Sequence, residues 1–343
     1  MRIHGAETIL VTGGGGFLGG AIVQKLLKHG HRLRSFSRRR HSALDALGVE
    51  QIAGDIADPD AVKTAVEGVD AVVHTAARAG VWGPWEAYHR TNTEGTLNVI
   101  AACRAAGVNR LVYTSSPSVV FDGLDMEGVD ESVPLARQFH APYPASKALA
   151  ETAVREAASD ELRTICLRPH LIWGPGDNHL VPRILARGRR LVRVGNGMNR
   201  VDTVYIDNAA DAHLLALHRL AETPSLSGRV YFVSNGQPIQ LWKMVDGILS
   251  AGGMPPVRRS ISTAAARRLG ATMEWAYRTF RLPGEPPMTR FVAEELATSH
   301  WFDIGAARRD LGYDPAVSID QGLRLLEEWL KSEGQRKETD PCC

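Results

Sequence analysis

The feature that most constrains this chain is a run of glycines set between a strand and a helix near its start. Thr8-Ile-Leu-Val-Thr12 is a short apolar run of β character, and Val11-Thr-Gly-Gly-Gly-Gly-Phe-Leu-Gly19 grows out of it. From Phe17 to His29 the apolar residues Leu18, Ile22, Leu26 and Leu27 return at helical spacing. Glycines between two such elements let the backbone turn sharply and approach a pyrophosphate, which then rests on the helix N-terminus. The run satisfies GxGxxG through Gly14, Gly16 and Gly19, and GxxGxxG through Gly13, Gly16 and Gly19. Spacing leaves both assignments open. The context, a strand before and an amphipathic helix behind, points to a dinucleotide-binding turn.

The same rhythm continues through the first half. Arg32–Ser37, Glu50–Ala53, Asp70–Thr75, Arg110–Ser115 and Leu162–Leu167 read as further strands. Asp58–Glu67, Glu86–Ala106 and Tyr143–Ala158 read as the helices between them. Such β-α-β alternation predicts an α/β fold, a doubly wound parallel sheet of the Rossmann kind with helices on both faces. After Pro169 the pattern breaks, with Pro, Gly and Arg crowding 169–200. One more strand and helix (Val201–Ile206, Asp207–Leu220) precede a mostly helical remainder. We therefore expect a dinucleotide-binding core over 1–168, completed by 201–233. A smaller, mostly helical substrate lobe takes 169–200 and 234–330, and a flexible tail takes 331–343.

The end of the second strand bears on the choice of dinucleotide. A carboxylate there accepts hydrogen bonds from a ribose 2′-hydroxyl and selects NAD; this chain has Ser37, followed by Arg38, Arg39 and Arg40. Guanidinium groups suit a 2′-phosphate, so NADP(H) is favoured over NAD(H). A solvated basic turn is the alternative reading of the same residues. Asp55, after the third strand, is placed to reach the adenine ring.

Tyr143-Pro-Ala-Ser-Lys147 opens a helix beyond the Ser115-Ser116 pair. Residues four apart share a helix face, which brings an ammonium near a phenol. A tyrosine that exchanges protons near neutrality needs its pKa lowered by roughly 3 units. One cation at ~4 Å with an effective dielectric of ~20 supplies about that, 4 kcal/mol. Tyr143 is the expected acid/base, Lys147 its activator, and Ser116 the group that fixes a substrate oxygen beside it.

With these residues in place, the chain resembles the extended short-chain dehydrogenase/reductase superfamily over nearly its whole length. The matching elements are Thr12-Gly13-x-x-Gly16-Phe-Leu-Gly19, Gly54-Asp55, His74-x-Ala76-Ala77, Asn92-x-x-Gly95-Thr96, Ser115-Ser116, Tyr143/Lys147, Leu167-Arg168-Pro169 and Trp173-Gly174-Pro175. The resemblance implies Lys147 as a ribose ligand, Ser115 as the alternative to Ser116, and Asn92 as holder of a water or an inner hydrogen bond. It implies a cofactor site of Gly13, Gly16, Phe17, Leu18, Ser37, Arg38, Asp55, Ile56, Ala76, Tyr143, Lys147 and Pro169. A homodimer formed through two helices of each subunit follows from it too.

Two subgroups are similar. Tyr113–Gly123 and Leu167–Asp177 resemble the 3β-hydroxysteroid dehydrogenase branch, which includes the decarboxylating sterol-4α-carboxylate 3-dehydrogenases. Ala77–Gly83 and Gly284–Phe291 resemble the 2-alkyl-3-oxoalkanoate reductases of bacterial olefin synthesis, which also lack the acidic residue at strand two. Both imply a lipophilic small-molecule substrate with an alcohol or ketone beside a carboxylate. Candidate substrate contacts are Ser116, His170, Trp173, His179 and Arg183, the last because a guanidinium clamps a carboxylate. For His170 a structural hydrogen bond is the plainer role. Nucleotide-sugar epimerases and dehydratases reuse the same Tyr/Lys pair and form an alternative, opposed by the apolar Val81–Trp85 loop. A non-catalytic NADP(H)-binding scaffold is a third reading, opposed by the intact Tyr143, Lys147 and Ser116.

Composition narrows the partners. With 40 Lys and Arg against 38 Asp and Glu, the net charge of +2 gives no bulk field for nucleic acid. Cys103, Cys166, Cys342 and Cys343 lie in no metal-ligand spacing, so no metal is expected, and their placement favours a reducing cytoplasm. No apolar h-region of a signal peptide and no run long enough to span a membrane is present. Cys342 and Cys343 do not fit the Cys-a-a-X lipidation pattern. Over 261–282, Ala264, Leu269, Met273, Ala276, Phe280 and Leu282 interleave with Arg267, Arg268, Arg278 and Arg281. This predicts a helix lying as a lid over an apolar pocket, with peripheral contact to a membrane as the alternative.

Overall fold

The computed structural model describes residues 6–339. The chain opens with β1 (Thr8–Thr12), α1 (Phe17–Lys28), β2 (Arg32–Ser37), α2 (Ser42–Ala46), β3 (Glu50–Ala53), α3 (Pro59–Val66) and β4 (Ala71–His74). A short α4 (Trp85–Tyr88) runs through a π-helical stretch, His89–Glu94, into α5 (Gly95–Ala106) and then β5 (Arg110–Thr114). β6 (Met126–Val129), α6 (Pro142–Glu156), β7 (Arg163–Pro169) and β8 (Ile172–Trp173) follow. The second half holds α7 (Leu180–Arg187), β9 (Arg193–Val194), β10 (Arg200–Val201), β11 (Val204–Tyr205), α8 (Ile206–Glu222) and β12 (Arg229–Val233). It ends with β13 (Ile239–Gln240), α9 (Leu241–Ala251), β14 (Ser260–Ile261), α10 (Thr263–Thr279), α11 (Arg290–Glu295), β15 (His300–Phe302) and α12 (Ile319–Thr339).

Seven of these strands form one parallel sheet in the order β12-β7-β5-β4-β1-β2-β3. Alternation along β1 shows how its two faces are filled. Ile9 and Val11 pack with Ile22, Val23 and Leu26 of α1 and Leu214 and Leu217 of α8. Leu10, between them, faces the opposite layer, with Val99 and Cys103 of α5 and Val154 of α6. Both faces are therefore covered, as a parallel sheet requires. The strand order reverses between β1 and β4, and ligands of such sheets bind beyond the carboxyl ends of the strands at that point.

Three expected elements differ. The strand expected at Val201–Ile206 does not join the main sheet; β10 pairs with β13 and β15, and β11 pairs with β8. Buried polar groups hold this stretch, since Asp202 accepts from the Phe302 amide at 2.9 Å and Thr203 accepts from the Trp173 indole at 3.1 Å. The seventh strand is instead Arg229–Val233, in register with β7 from Arg229 against Ile165 to Val233 against Pro169. The helix expected over Glu86–Ala106 is interrupted by its π-helical stretch, and the tail expected from 331 begins inside α12. Cys342 and Cys343 lie outside the described residues.

The apolar face expected on α10 is also displaced. Ala266, Gly270 and Glu274 are buried, whereas Leu269, Phe280 and Leu282 are exposed. A Cβ at Gly270 would come within 2.6 Å of the Thr289 backbone, so small residues let α10 approach the start of α11. Glu274 then accepts from the Arg290 amide and guanidinium at 2.7 and 3.0 Å. Close backbone approach and a buried charged hydrogen bond outweigh the apolar periodicity.

Trp173, expected at the substrate, is a core residue with no exposed surface. It packs with Tyr205, Ile206, Trp242 and Ile248 in the second lobe. Deep burial at a strand end explains the difference. Replacing Trp173 by Ala removes a fully packed ring and should lower unfolding stability by about 3–5 kcal/mol. Denaturant unfolding checks this, and an unchanged midpoint would contradict the core assignment.

Candidate active site

The glycine turn resolves the ambiguity left by spacing. Gly13 carries φ +72°, a conformation that side chains rarely adopt, and lies against the Ala76 backbone. Gly16 is the N-cap of α1, and a Cβ at Gly19 would collide with the Gly13 carbonyl. Turn, cap and close helix packing thus fall to Gly13, Gly16 and Gly19. The first turn of α1, beginning with Phe17 and Leu18, has no side-chain cap and no acidic residue. Its amides are available to an anion, which fits the pyrophosphate of a dinucleotide.

Around this turn, Ala76 donates its amide to Thr12 Oγ1 at 3.2 Å, and His74 bridges Thr12 Oγ1 and Thr96 Oγ1 at 2.7 and 3.0 Å. Burial, with the Lys147 charge nearby, lowers the His74 pKa to about 3, so the ring is a neutral brace between β1, β4 and α5. At the end of β2, Ser37 Oγ donates to the Arg39 carbonyl at 2.9 Å. Arg40 pairs with Asp45 at 2.8 Å, while Arg38 is exposed and makes no ion pair among the described residues. Asp55 binds Arg90 at 2.8 Å and accepts from the Ala57 amide at 3.0 Å. Its carboxylate shapes the turn that carries the buried Ile56.

Tyr143 and Lys147 lie on the first turns of α6, with Pro142 starting the helix. Ser116 Oγ beside the phenol favours the phenolate, but burial dominates and lifts the Tyr143 pKa to about 12. Lys147 Nζ donates to the Thr114 carbonyl at 2.6 Å and stands 4.1 Å from the centre of the Tyr113 ring. Burial lowers its pKa to about 7 against the opposing Glu151 charge. The ammonium donates to the end of β5, and in the protein by itself burial keeps the phenol protonated.

The two serines separate cleanly. Ser115 is buried and donates to Glu151 at 2.6 Å, so it is a structural group. Ser116 faces the same cavity as Tyr143. Asn92, in the π-helical stretch, donates to the Arg78 carbonyl at 3.1 Å and to Ser146 Oγ at 2.9 Å, and accepts from the Arg78 amide at 2.7 Å. It makes inner hydrogen bonds that tie the loop after β4 to α6.

The cavity beside Ser116 and Tyr143 has a volume of about 400 Å³. His170, His179 and Arg183 line it, as the sequence suggested, and so does Pro169, which the resemblance had assigned to the cofactor; Trp173 does not. His170 is hydrogen-bonded to His300 at 2.7 Å, and burial holds its pKa well below the usual range. Arg183 is ion-paired with Glu285. The sequence reading missed Glu285, Phe291, Glu295, His300 and Phe302, which reach the cavity from the far end of the chain. Gly284–Phe291 had stood out only as a resemblance, and nothing in its spacing marked it as pocket wall. Burial pushes the Glu295 carboxyl up to about 7. A cavity lined by a phenol, a hydroxyl and apolar side chains can hold a carbonyl or alcohol oxygen and exchange a proton with it.

Comparison with known proteins agrees with this chemistry. Residues 10–262 match the 3-beta hydroxysteroid dehydrogenase/isomerase family. The 2-alkyl-3-oxoalkanoate reductase of Stenotrophomonas maltophilia is 52% identical over 327 residues, covering 93% of this chain and 98% of that protein. The decarboxylating sterol-4-alpha-carboxylate 3-dehydrogenase of Schizosaccharomyces pombe is 35% identical, covering 95% of this chain and 98% of its own. Among solved structures, gox2253 superposes with a TM-score of 0.76 at 28% identity, covering 96% of this chain and 99% of that one. The chain belongs to the 3-beta hydroxysteroid dehydrogenase/isomerase family, and it is an oxidoreductase acting on CH–OH groups.

Proposed function

We propose that this protein reduces a 2-alkyl-3-oxoalkanoate to the 2-alkyl-3-hydroxyalkanoate, with NADPH as reductant. The observation that carries the reading is the composition of the cavity: Ser116 and Tyr143 line it with hydroxyls, Arg183 with a guanidinium, and Val81, Phe121, Leu171 and Phe291 with apolar surface. A ketone, a nearby carboxylate and alkyl chains match those three environments. The name of the Stenotrophomonas maltophilia relative supports the same substrate.

A reduced nicotinamide cofactor, held by the Gly13–Gly19 turn, would supply the hydride that the ketone needs. Ser116 orients the oxygen, and Tyr143 gives it the proton. Lys147, when charged, would stabilise the phenolate left behind and hold the ribose of the cofactor. Ser37 and Arg38 support NADP(H), because the end of β2 lacks a carboxylate and Arg38, with no ion pair among the described residues, offers a guanidinium to a 2′-phosphate. The free, buried Cys103 and Cys166 suit a reducing cytoplasm. No helix among the described residues is long and apolar enough to cross a membrane. The exposed Trp275 and Phe280 of the α10 region are the groups that would meet a lipid surface carrying the substrate.

Tyr143→Phe should lower kcat for ketone reduction by roughly 10²–10⁴-fold with little change in NADPH binding. Since Lys147 titrates at about 7, kcat/KM should fall as pH rises through that value and the ammonium is lost, while Tyr143 stays protonated throughout. A pH–rate profile flat to pH 9 would contradict this role of Lys147. Arg38→Ala should raise the KM for NADPH about tenfold or more and hardly move that for NADH; equal changes would leave the basic turn as plain surface.

We also propose a homodimer formed through α5 and α6, whose Leu97 and Leu149 are exposed at 46% and 47%. Native mass spectrometry should show a dimer that Leu97→Glu with Leu149→Glu converts to monomer. A monomeric parent protein would refute it.

A further inference from the structure

The charges of the substrate cavity are unevenly distributed. Arg183 is the one lining residue with a fixed positive charge among the described residues. His170 and His300 are held neutral by burial, and Glu295 carries a raised pKa for the same reason. A carboxylate entering this cavity therefore has a single cation to meet. That cation is already taken, because Arg183 reaches from α7 to Glu285, in the segment joining α10 to α11. A Cβ built at Gly80 would lie 2.6 Å from Glu285 Oε1 and 3.0 Å from the Tyr88 hydroxyl. The Glu285 carboxylate thus sits where the loop after β4 meets the second lobe, with the Arg183 guanidinium on its other side.

We infer that Arg183 and Glu285 form a carboxylate-exchange subsite, in which Glu285 holds the guanidinium until the carboxylate of the substrate displaces it. The inference rests on the proposed 2-alkyl-3-oxoalkanoate substrate. Two carboxylates crowded on one guanidinium repel each other, so the substrate's carboxylate and Glu285 compete for one fork. Exchange is easy for Glu285, since the pair is partly exposed, with side-chain exposures of 51% for Arg183 and 29% for Glu285. Ion pairs of that kind contribute little, and the released carboxylate can turn to water. A buried pair would resist such exchange.

The exchange has a chemical use. A 3-oxoacid loses CO2 to give a neutral ketone with the same alkyl chains, and apolar walls cannot tell the two apart. A neutral ligand leaves Glu285 on Arg183, whereas an acid gains the guanidinium. Discrimination between acid and ketone then comes from one residue pair at the cavity wall, away from Tyr143 chemistry.

The test compares a 2-alkyl-3-oxoalkanoate with its methyl ester as substrates of the NADPH-loaded protein. The readout is the ratio of their KM values in the parent, Glu285→Gln and Arg183→Gln proteins, with turnover of the ester reporting folding in each. Glu285→Gln removes the competitor and should lower the acid-to-ester ratio at least threefold. Arg183→Gln should raise it by about tenfold or more, the size expected for loss of a charged hydrogen bond. A Glu285→Gln protein whose ratio is unchanged or raised overturns the exchange. Should the parent protein reduce neither compound, the proposed function falls. Calorimetric binding of the 3-hydroxy acid and its methyl ester to the same three proteins then decides the subsite: the same ordering of ratios sustains it, and equal ratios reject it.

Discussion

The buried ion pair between Glu151 and Arg168 is the contact on which the site depends. Glu151 is wholly buried and Arg168 is 2% exposed; the guanidinium grips the carboxylate through two hydrogen bonds of 2.9 and 2.6 Å. Ser115 adds a third at 2.6 Å. Two charges removed from water are tolerable only when paired and hydrogen-bonded; here only Arg168 Nη1 of the guanidinium is left without a partner, and removing either residue costs about 3–5 kcal/mol. Glu151 follows Lys147 by one helical turn and Tyr143 by two, so locking it fixes both the height and the rotation of α6. Arg168 comes from β7 and Ser115 from the end of β5, which sets the catalytic helix against the strand ends. The Arg168 guanidinium also lies 5.2 Å from the Phe232 ring centre, which extends the connection to β12.

Burial, more than local charge, sets the protonation states around the cavity. It lifts Tyr143 and Glu295, lowers Lys147, and keeps His170 and His300 neutral. Each shift has the sign expected for taking the charged form out of water. The protein by itself therefore holds a protonated phenol ready to donate, and places the ammonium where its neighbours are a carbonyl oxygen and an aromatic face. Proton transfer and substrate selection are then separate tasks. Tyr143 and Ser116 handle the reacting oxygen from the core, while Arg183 and Glu285 stand at the wall contributed by the second lobe.

Much of this was legible in the sequence because its signals were local. Gly13–Gly19, the β1 alternation and the Tyr143/Lys147 spacing each depend on a few consecutive residues. The parallel, doubly wound class followed from the alternation of strands and helices, whereas the strand order and its switch point came from the folded sheet. The family followed from the motifs that these elements carry.

Tertiary structure decided whatever depended on distant segments meeting. Ser115 and Ser116 look alike in sequence, and only the approach of Glu151 consigned one to the core. Trp173 reads as a pocket aromatic until β8, β11 and α9 close around it. The periodicity of α10 named one face, but the close approach at Gly270 and the Glu274–Arg290 contact buried another. Glu285, Glu295 and His300 lie well over a hundred residues beyond Tyr143, and no local pattern assigns them to its cavity. The sequence by itself determined which groups could do the chemistry, because propensity and spacing act over short stretches. Which of them face the substrate was decided by packing, because burial and partner choice are properties of the folded chain.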